Sequence, residues 1–367
     1  MRKKRKLTWE KPEYTKDEVN WAGKVVSGRK KVSHEDEERA MVIFENWRAC
    51  HNYPLHIFYM RLKKYSEDLH TNSIVAQRLK RTPSIIQKLK RGYNNHKPSM
   101  NLYQMQDIGG CRAIVPNVKL ARKLYEEKFL RGDLKHKKSN QKDYVHFPKE
   151  DGYRGLHLVY NYQSDKNRVV FNDLKIEIQI RTKLQHLWAT GIETIDFITQ
   201  QAMKFGKGRS EWSEFFLLVS SAFSDLEGYP FLENTPNNKD ELYRRIKEKE
   251  DELKAIDKLK GFTYAFREYT EQKKKNKKEA KFFLLELSMV KDNKRLIITE
   301  YGNSEEEKEK AIKDYGMKEK EHKDDLEYDV VLVSVDDVKN LKRAYPKYFA
   351  DTKELIEELD RIISLVK

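Results

Sequence analysis

Leu174-Lys-Ile-Glu-Ile-Gln-Ile-Arg-Thr182 alternates cleanly between apolar and polar residues. In an extended chain successive side chains point to opposite sides, so Ile176, Ile178 and Ile180 share one face and Glu177, Gln179 and Arg181 the other. This is a strand with one buried face and one polar face. Upstream, Asp107-Ile-Gly-Gly-Cys-Arg-Ala-Ile-Val115 reads as a buried strand stopped at Pro116, and Leu156 to Tyr162 as a third strand. Asn117 is placed to cap a helix through Phe129. Two long helices follow the alternating strand, from about Lys183 to Met203 and from Glu211 to Leu226. Strands interleaved with helices define an α/β domain ending near residue 230.

Towards the amino terminus, residues 1–35 read as a polar arm plus one helix. From Glu37 to about Leu69 apolar residues recur at helical spacing, with a break marked by Pro54. Ser73 to Lys80 reads as a further helical stretch. Thr82-Pro83-Ser84 then restarts a short helix, with Thr82 as cap and Pro83 in its first turn, ending at Gly92. Beyond the α/β domain, Asn234-Thr-Pro-Asn-Asn238 is a boundary, followed by a charged helix from Lys239 to Lys258. A small module follows, with a hairpin of Phe282–Val290 and Arg295–Tyr301 around Asp292-Asn293, and a strand at Tyr328–Val335. Helices near Glu305–Lys313, Asp337–Ala344 and Thr352–Val366 accompany them. The expected division is 1–235, a helical linker at 236–270, and 271–367.

The chain has 367 residues, 36% of them charged and 11% aromatic, with 15 Gly and 9 Pro, which excludes a wholly disordered or collagenous chain. No apolar run approaches the ~18 residues of a membrane span. The start, MRKKRK, leads into no apolar signal core, so a cytoplasmic protein with no membrane partner is expected. Two cysteines, Cys50 and Cys111, exclude a disulfide framework and a four-cysteine zinc site. The net charge of +15 is uneven: residues 1–200 carry 40 basic and 23 acidic side chains, and residues 201–367 carry 34 and 36. Residues 78–97 hold seven cations (Arg78, Lys80, Arg81, Lys88, Lys90, Arg91 and Lys97) and no acid. Such a run is either a solvated helix face or a phosphate site.

Two acids on separate strands, Asp107 and Glu177, stand out among these cations. Carboxylates converging at a sheet edge can hold Mg²⁺, which takes hard oxygen ligands and shares them with substrate phosphates. Asp151-Gly-Tyr-Arg-Gly155 is a flexible loop with an aromatic tip suited to stacking on a base. The same residues also read as buried ion pairs and a surface turn, and spacing does not decide between these. His186 and Trp188 read as helix-packing residues, and Lys137 and Lys138 as a solvated loop.

Five segments, in order, resemble the RelA/SpoT synthetase domain, the family that moves pyrophosphate from ATP to a ribose 3′-hydroxyl. They are Asn46-Trp-Arg-Ala-Cys-His-Asn-Tyr-Pro54; Arg78-x-Lys80 with Ser84-Ile85 and Lys88; Asp107-Ile-x-Gly-x-Arg112; Asp143-Tyr-Val through Pro148-Lys149 to Gly152-Tyr-Arg-Gly-Leu-His157; and Glu177-Ile-Gln-Ile-Arg-Thr182 with Gln185-His-Leu-Trp188. The resemblance spans roughly residues 40–230 and implies a nucleotidyltransferase-like mixed sheet with surrounding helices. It implies that Arg78 and Arg112 sandwich the adenine of ATP, and that Lys80, Ser84 and Lys88 hold its phosphates. Asp107 and Glu177 would coordinate Mg²⁺, with Glu177 also taking the proton of the attacking hydroxyl. Tyr153 would stack on the acceptor base, while Arg154, His157, Gln179 and Arg181 would position the acceptor. Gly155 stands where alarmone synthetases usually carry serine, which points away from a guanine-nucleotide acceptor.

No His is followed by Asp, so the hydrolase half of the long bifunctional relatives is missing. The carboxy-terminal strand–helix pattern resembles the module fused to toxic small alarmone synthetases of the CapRel type. With no cysteine beyond Cys111 it is expected to be a pseudo zinc finger without zinc. Tyr345-Pro-Lys-Tyr348 resembles the YxxY motif that occludes the ATP site in such fusions. The resemblance implies a fused toxin–antitoxin protein: an ATP-dependent pyrophosphotransferase acting on the tRNA 3′ end, restrained in cis and released by a phage protein. An alarmone synthetase using GTP or GDP, and a non-catalytic RNA-binding module, are the competing readings.

Overall fold

The alternating stretch becomes the central strand of a five-stranded mixed sheet. The fold is that of a computed structural model describing residues 9–91, 99–199, 211–253, 255–256, 282–288, 295–302, 304–322, 328–334 and 353–366. The strands are β1 (Ile74–Leu79), β2 (Gly109–Val115), β3 (Lys137–Asp143), β4 (Leu156–Asn161) and β5 (Lys175–Thr182), in the spatial order β1-β2-β5-β4-β3. β2 and β5 run parallel, and the other pairs are antiparallel. One register row reads Arg112, Gln179, His157, Lys142, and its neighbour reads Arg78, Gly110, Glu177, Val159. Residues facing one another in a ladder share a face, so Gln179 of β5 lies between Arg112 of β2 and His157 of β4, with Glu177 two residues away on the same face.

The opposite face is the core. Ile176, Ile178 and Ile180 are fully buried together with Leu156, Leu158, Phe44, Phe58 and Leu62. Each such side chain contributes roughly 1.5–3 kcal/mol by leaving water. The covering helices are α1 (Lys16–Val26), α2 (His34–Ala49) and α3 (Asn52–Leu69). Thr15 and Glu18 cap α1 reciprocally. A Cβ on Gly109 would lie 2.7 Å from Ile176 Cδ1 of the neighbouring β5, while Leu55 and His51 at the start of α3 would be in ordinary contact at 3.5 and 3.6 Å. The short helix α4 (Thr82–Lys90) follows β1, and α5 (Val118–Lys123), capped by Asn117, follows β2.

Two elements differ from the sequence expectation. Within Ser73 to Lys80, Ile74–Leu79 forms the edge strand β1, not a helix. The stretch is too short to sustain a helix alone, Ile74 and Val75 are branched at Cβ, and the open side of β2 offers a complete ladder. Lys137 and Lys138 are exposed, but they open an edge strand rather than a loop. β3 is polar on both faces, so it shows no alternation.

A second core forms beyond β5. α6 (Lys183–Thr199), α7 (Glu211–Leu226), α8 (Lys239–Leu253) and α10 (Lys353–Ser364) bury Trp188, Phe215, Phe216, Phe223, Leu242, Ile246, Leu355 and Leu359 together. A Cβ on Gly191 of α6 would come within 2.4 Å of Leu355 Cδ2 and 2.7 Å of Phe216 Cε1, so α10 lies directly on the α6 backbone. Asn238, within the stretch read as a boundary, caps α8 through the backbone amides of Asp240 and Glu241.

A three-stranded antiparallel sheet completes the described residues, in the order β7 (Arg295–Tyr301), β6 (Phe282–Ser288), β8 (Tyr328–Ser334), with α9 (Glu305–Glu321) beside it. Here the expected hairpin is present, Ser288 facing Arg295. Its turn at Asp292-Asn293, the helix expected at Asp337–Ala344, and Tyr345 and Tyr348 lie outside the described residues. Tyr315 of α9 accepts a hydrogen bond from buried Arg48 (3.1 Å), whose Nε donates to the Lys80 carbonyl at the end of β1 (2.7 Å). No helix among the described residues is long and apolar enough to cross a membrane.

Candidate active site

The polar face of the sheet carries two clusters. The first gathers around Asp107, in the approach to β2. Lys80 Nζ, just past β1, donates to Asp107 Oδ2 (3.2 Å), and Lys88 Nζ of α4 donates to Oδ1 (2.8 Å). Ser84 lies one turn before Lys88, on the same face of α4. Burial lowers the Lys80 pKa; Asp107 opposes that shift, while Lys88 and Arg78 add to it. Arg78 and Arg112 sit diagonally on the same face of adjacent strands, Arg78 opposite Gly110. Gly110 leaves the surface between Arg78 and Glu177 bare, since a Cβ there would touch nothing nearer than the Glu177 carbonyl oxygen at 3.8 Å.

The second cluster is a chain of hydrogen bonds. Arg181 Nε and Nη2 donate to the Tyr153 hydroxyl (3.2 and 3.1 Å). That hydroxyl meets His157 Nε2 at 2.6 Å, and His157 Nδ1 meets Glu177 Oε1 at 2.9 Å. Gln179 Nε2 donates to Glu177 Oε2 (2.6 Å). The tautomer consistent with this chain has Nδ1 protonated, with Nε2 accepting from Tyr153. Burial acts to raise the Glu177 pKa, but His157, Gln179 and Lys80 overcome it and hold the carboxyl at about 2. Glu177 is therefore ionised throughout the physiological range, which suits a metal ligand and makes it a weak base. Burial pushes the Tyr153 hydroxyl up, against Arg181. Arg181 Nη1 is buried with no hydrogen-bond partner among the described residues, a donor left for something else.

The loop that delivers Tyr153 is fixed at several points. Asp143 pairs with Arg122 and accepts from the amides of Val145 and His146. Gly152 has φ +87°, a left-handed conformation that favours glycine, and Ser220 Oγ of α7 donates to its carbonyl (2.6 Å). Lys149 Nζ lies over the rings of Tyr144 (4.9 Å) and Tyr153 (4.7 Å). A Cβ on Gly155 would sit 3.3 Å from the Tyr153 hydroxyl, so a side chain there would press on it.

The sequence-predicted residues Asp107, Lys80, Ser84 and Lys88 thus come together at one end of the face. Glu177, Gln179, Arg181, Tyr153 and His157 meet at the other, with Arg78 and Arg112 on the sheet between. Arg154 is not among them: its guanidinium is 2% exposed and pairs with Glu227 at 3.2 Å, below the loop. Sequence reasoning did not assign Lys149, Tyr144 or Glu227. The first two were visible as a cation and an aromatic within the acceptor-loop pattern; Glu227 carried no signal. Asp107 and Glu177 provide the hard oxygen donors that Mg²⁺ takes, and in this structure the two Asp107 oxygens are held by the Lys80 and Lys88 ammonium groups. No group of three or more His, Cys, Asp or Glu side chains among the described residues could hold a metal ion, so the rest of such a shell would come from phosphate and water.

Residues 77–196, which include both clusters, match the model of the region found in RelA / SpoT proteins. The GTP pyrophosphokinase YjbM of Bacillus subtilis (strain 168) is 34% identical over 133 residues, covering 35% of this chain and 58% of that protein. The GTP pyrophosphokinase YwaC of the same organism is 35% identical over 128 residues, covering 33% and 54%. The chain spans little more than half the length of these curated relatives. The crystal structure of small alarmone synthetase 2 from Bacillus subtilis is 21% identical, with a TM-score of 0.41, over 50% of this chain and 94% of that one. The segment bearing the polar face is therefore similar to the region found in RelA / SpoT proteins, and the two curated relatives it resembles are pyrophosphokinases.

Proposed function

We propose that this chain is an ATP-dependent pyrophosphotransferase acting on a ribose 3′-hydroxyl at the end of tRNA. One observation carries the reading: a cation cluster suited to a triphosphate and an aromatic, hydrogen-bonding cluster that includes Glu177 and is suited to a nucleoside share one sheet face. In the step, the 3′-oxygen attacks the β-phosphorus of ATP, the bond from that phosphorus to the α–β bridging oxygen breaks, and AMP leaves. The hydroxyl proton passes to the Glu177 carboxylate and from there to water. Arg78 and Arg112 flank the adenine, Lys80, Ser84 and Lys88 hold the phosphates, and Tyr153, His157, Gln179 and Arg181 fix the acceptor. Asp107 and Glu177 would hold Mg²⁺, which when bound would supply charge neutralisation on the transferred phosphates. Catalysis is then mainly positioning and electrostatics.

Three features support tRNA as acceptor. Residues 1–200 hold 40 basic against 23 acidic side chains. β3 lines the sheet edge beside the acceptor loop with exposed Lys137, Lys138 and Lys142, and Phe147 in that loop is 72% exposed, an arrangement suited to a single strand. Gly155 leaves the Tyr153 hydroxyl unpressed. The relatives' names as GTP pyrophosphokinases point to a second reading, guanine nucleotide as acceptor. ATP labelled in its β-phosphate, incubated separately with tRNA, GTP and GDP, decides: label is expected in tRNA, and label confined to guanine nucleotides overturns that acceptor.

The carboxy-terminal residues are assigned the restraint. Support comes from Tyr315 of α9, which reaches the Lys80 carbonyl through Arg48. Tyr345 and Tyr348 are the proposed occluding pair, and a phage protein binding this module is the proposed trigger. Replacing both tyrosines by alanine is expected to arrest growth of expressing cells without any trigger. A well-expressed pair variant that leaves growth unchanged makes the motif structural.

A further inference from the structure

Glu227 lies just past α7, outside the segment that matches the RelA / SpoT region, and its side chain is 6% exposed. Its carboxylate is shared by three side chains. Arg154 Nη1 donates to Oε2 (3.2 Å), Gln185 Nε2 donates to Oε2 (3.0 Å), and the Thr182 hydroxyl donates to Oε1. The places of these donors in the chain matter. Arg154 follows Tyr153, and Thr182 follows Arg181, so Glu227 grips the residue next to each partner of the Tyr153–Arg181 hydrogen bond. Gln185 makes a reciprocal cap with Thr182 at the start of α6: Thr182 N donates to Gln185 Oε1 (3.1 Å) and Gln185 N donates to Thr182 Oγ1 (3.2 Å). The same carboxylate therefore ties the acceptor loop, the end of β5 and the first turn of α6 to the end of α7. The Arg154 guanidinium also lies over the Tyr229 ring (5.4 Å), two residues beyond Glu227.

A buried ion pair is a poor source of net stability, because desolvation offsets much of the attraction. Its geometric effect is clearer, since neighbouring backbone cannot shift while both charges must stay paired. We propose that Glu227 is a positioning residue, which through Arg154 and Thr182 sets the Tyr153–Arg181 geometry that receives the acceptor nucleotide. The proposal rests on the acceptor assignment above and locates its support in a residue that touches neither substrate.

The test is the double variant Arg154→Met with Glu227→Leu, which removes both charges together and keeps apolar volume in the site. Its thermal midpoint is expected to stay near that of the parent. Hydrogen exchange should quicken in peptides covering 150–157 and 178–183 and stay unchanged across β1 and β2. kcat/KM for whichever acceptor takes label should fall about 10–100-fold, the scale of a ~1 Å misplacement, while KM for ATP stays within about twofold. Glu227→Gln, which keeps the shape and loses the charge, should fall between parent and double variant. Unchanged exchange in the two peptides, or equal losses on the ATP and acceptor sides, overturns the proposal. If the parent labels no acceptor, the transferase reading fails, and the exchange measurement still decides the clamp.

Discussion

Glu177→Gln is expected to lower pyrophosphate transfer by about a thousandfold or more, the upper range for losing one preorganised electrostatic group at a reacting centre. The substitution is nearly isosteric, so Gln179, His157 and the β5 ladder keep their places. What disappears is the charge. His157 Nδ1 and Gln179 Nε2 then face a neutral amide, and the carboxylate proposed to share Mg²⁺ with the phosphates is gone. Lys80, whose charge helps hold the Glu177 pKa at about 2, loses an anionic neighbour and keeps Asp107. ATP affinity is therefore expected to change far less than turnover. Initial rates with labelled ATP, together with a thermal midpoint, check this. A variant retaining more than a tenth of the parent rate would remove Glu177 from the centre of the site.

Acidification is expected to unfold the chain in two stages. His51 is buried at the junction of α2 and α3, with Nδ1 donating to the Trp47 carbonyl (2.7 Å). Burial lowers its pKa to about 4; the Trp47 carbonyl opposes this, and Lys175 and Arg48 add to it. The unfolded chain therefore takes up a proton below pH ~6.5 that the folded chain refuses until about 4. Stability is fully present above 6.5 and is lost as pH falls towards 4, by about 3 kcal/mol from His51 alone. His136, packed between Phe58 and Tyr162 and lowered to about 4 by burial, Arg61 and Lys135, acts in the same direction. Glu177 adds a lower stage: its carboxyl is depressed, so its contribution is lost as pH falls from about 4.5 towards 2. Urea midpoints measured from pH 7.5 to 3.5 should fall most steeply between 6.5 and 4. In His51→Gln, which can still donate to the Trp47 carbonyl, that limb should flatten; an unchanged slope would mean that this histidine titrates as an exposed one.

Much of this site was legible because one signal served two purposes. The alternation of β5 announced both the buried isoleucine face and the polar face bearing Glu177, Gln179 and Arg181. β2 was legible as a buried run, and with those strands placed the two acids came onto one sheet. β1 was misread because six residues with apolar and basic positions fit either period, and only the open side of β2 decides between them. β3 was invisible because an edge strand solvated on both faces needs no alternation. Arg154 could not be sorted from Tyr153 by sequence: adjacent residues of the delivering loop go to opposite sides of it, one to His157 and the other to Glu227. Trp188, read as packing, is buried with its indole nitrogen donating to the Phe216 carbonyl (2.7 Å).

The seating of α10 on the Gly191 backbone has a consequence for how the protein is made. β5 and α6 leave the ribosome long before residues 353–364 exist, and until those residues arrive the apolar face formed by Trp188, Ile192 and Phe216 lacks its cover. The Tyr153 loop leans on that same layer through Trp188 and Ser220. A nascent chain, or one released early at a stop codon or by a nuclease cut in its message, therefore carries the sheet and its acids over a helical layer whose apolar face is still open, and its Tyr153 loop is expected to be less firmly held. For an enzyme proposed to disable translation, the order of synthesis itself postpones activity until the ribosome making it has read through to α10.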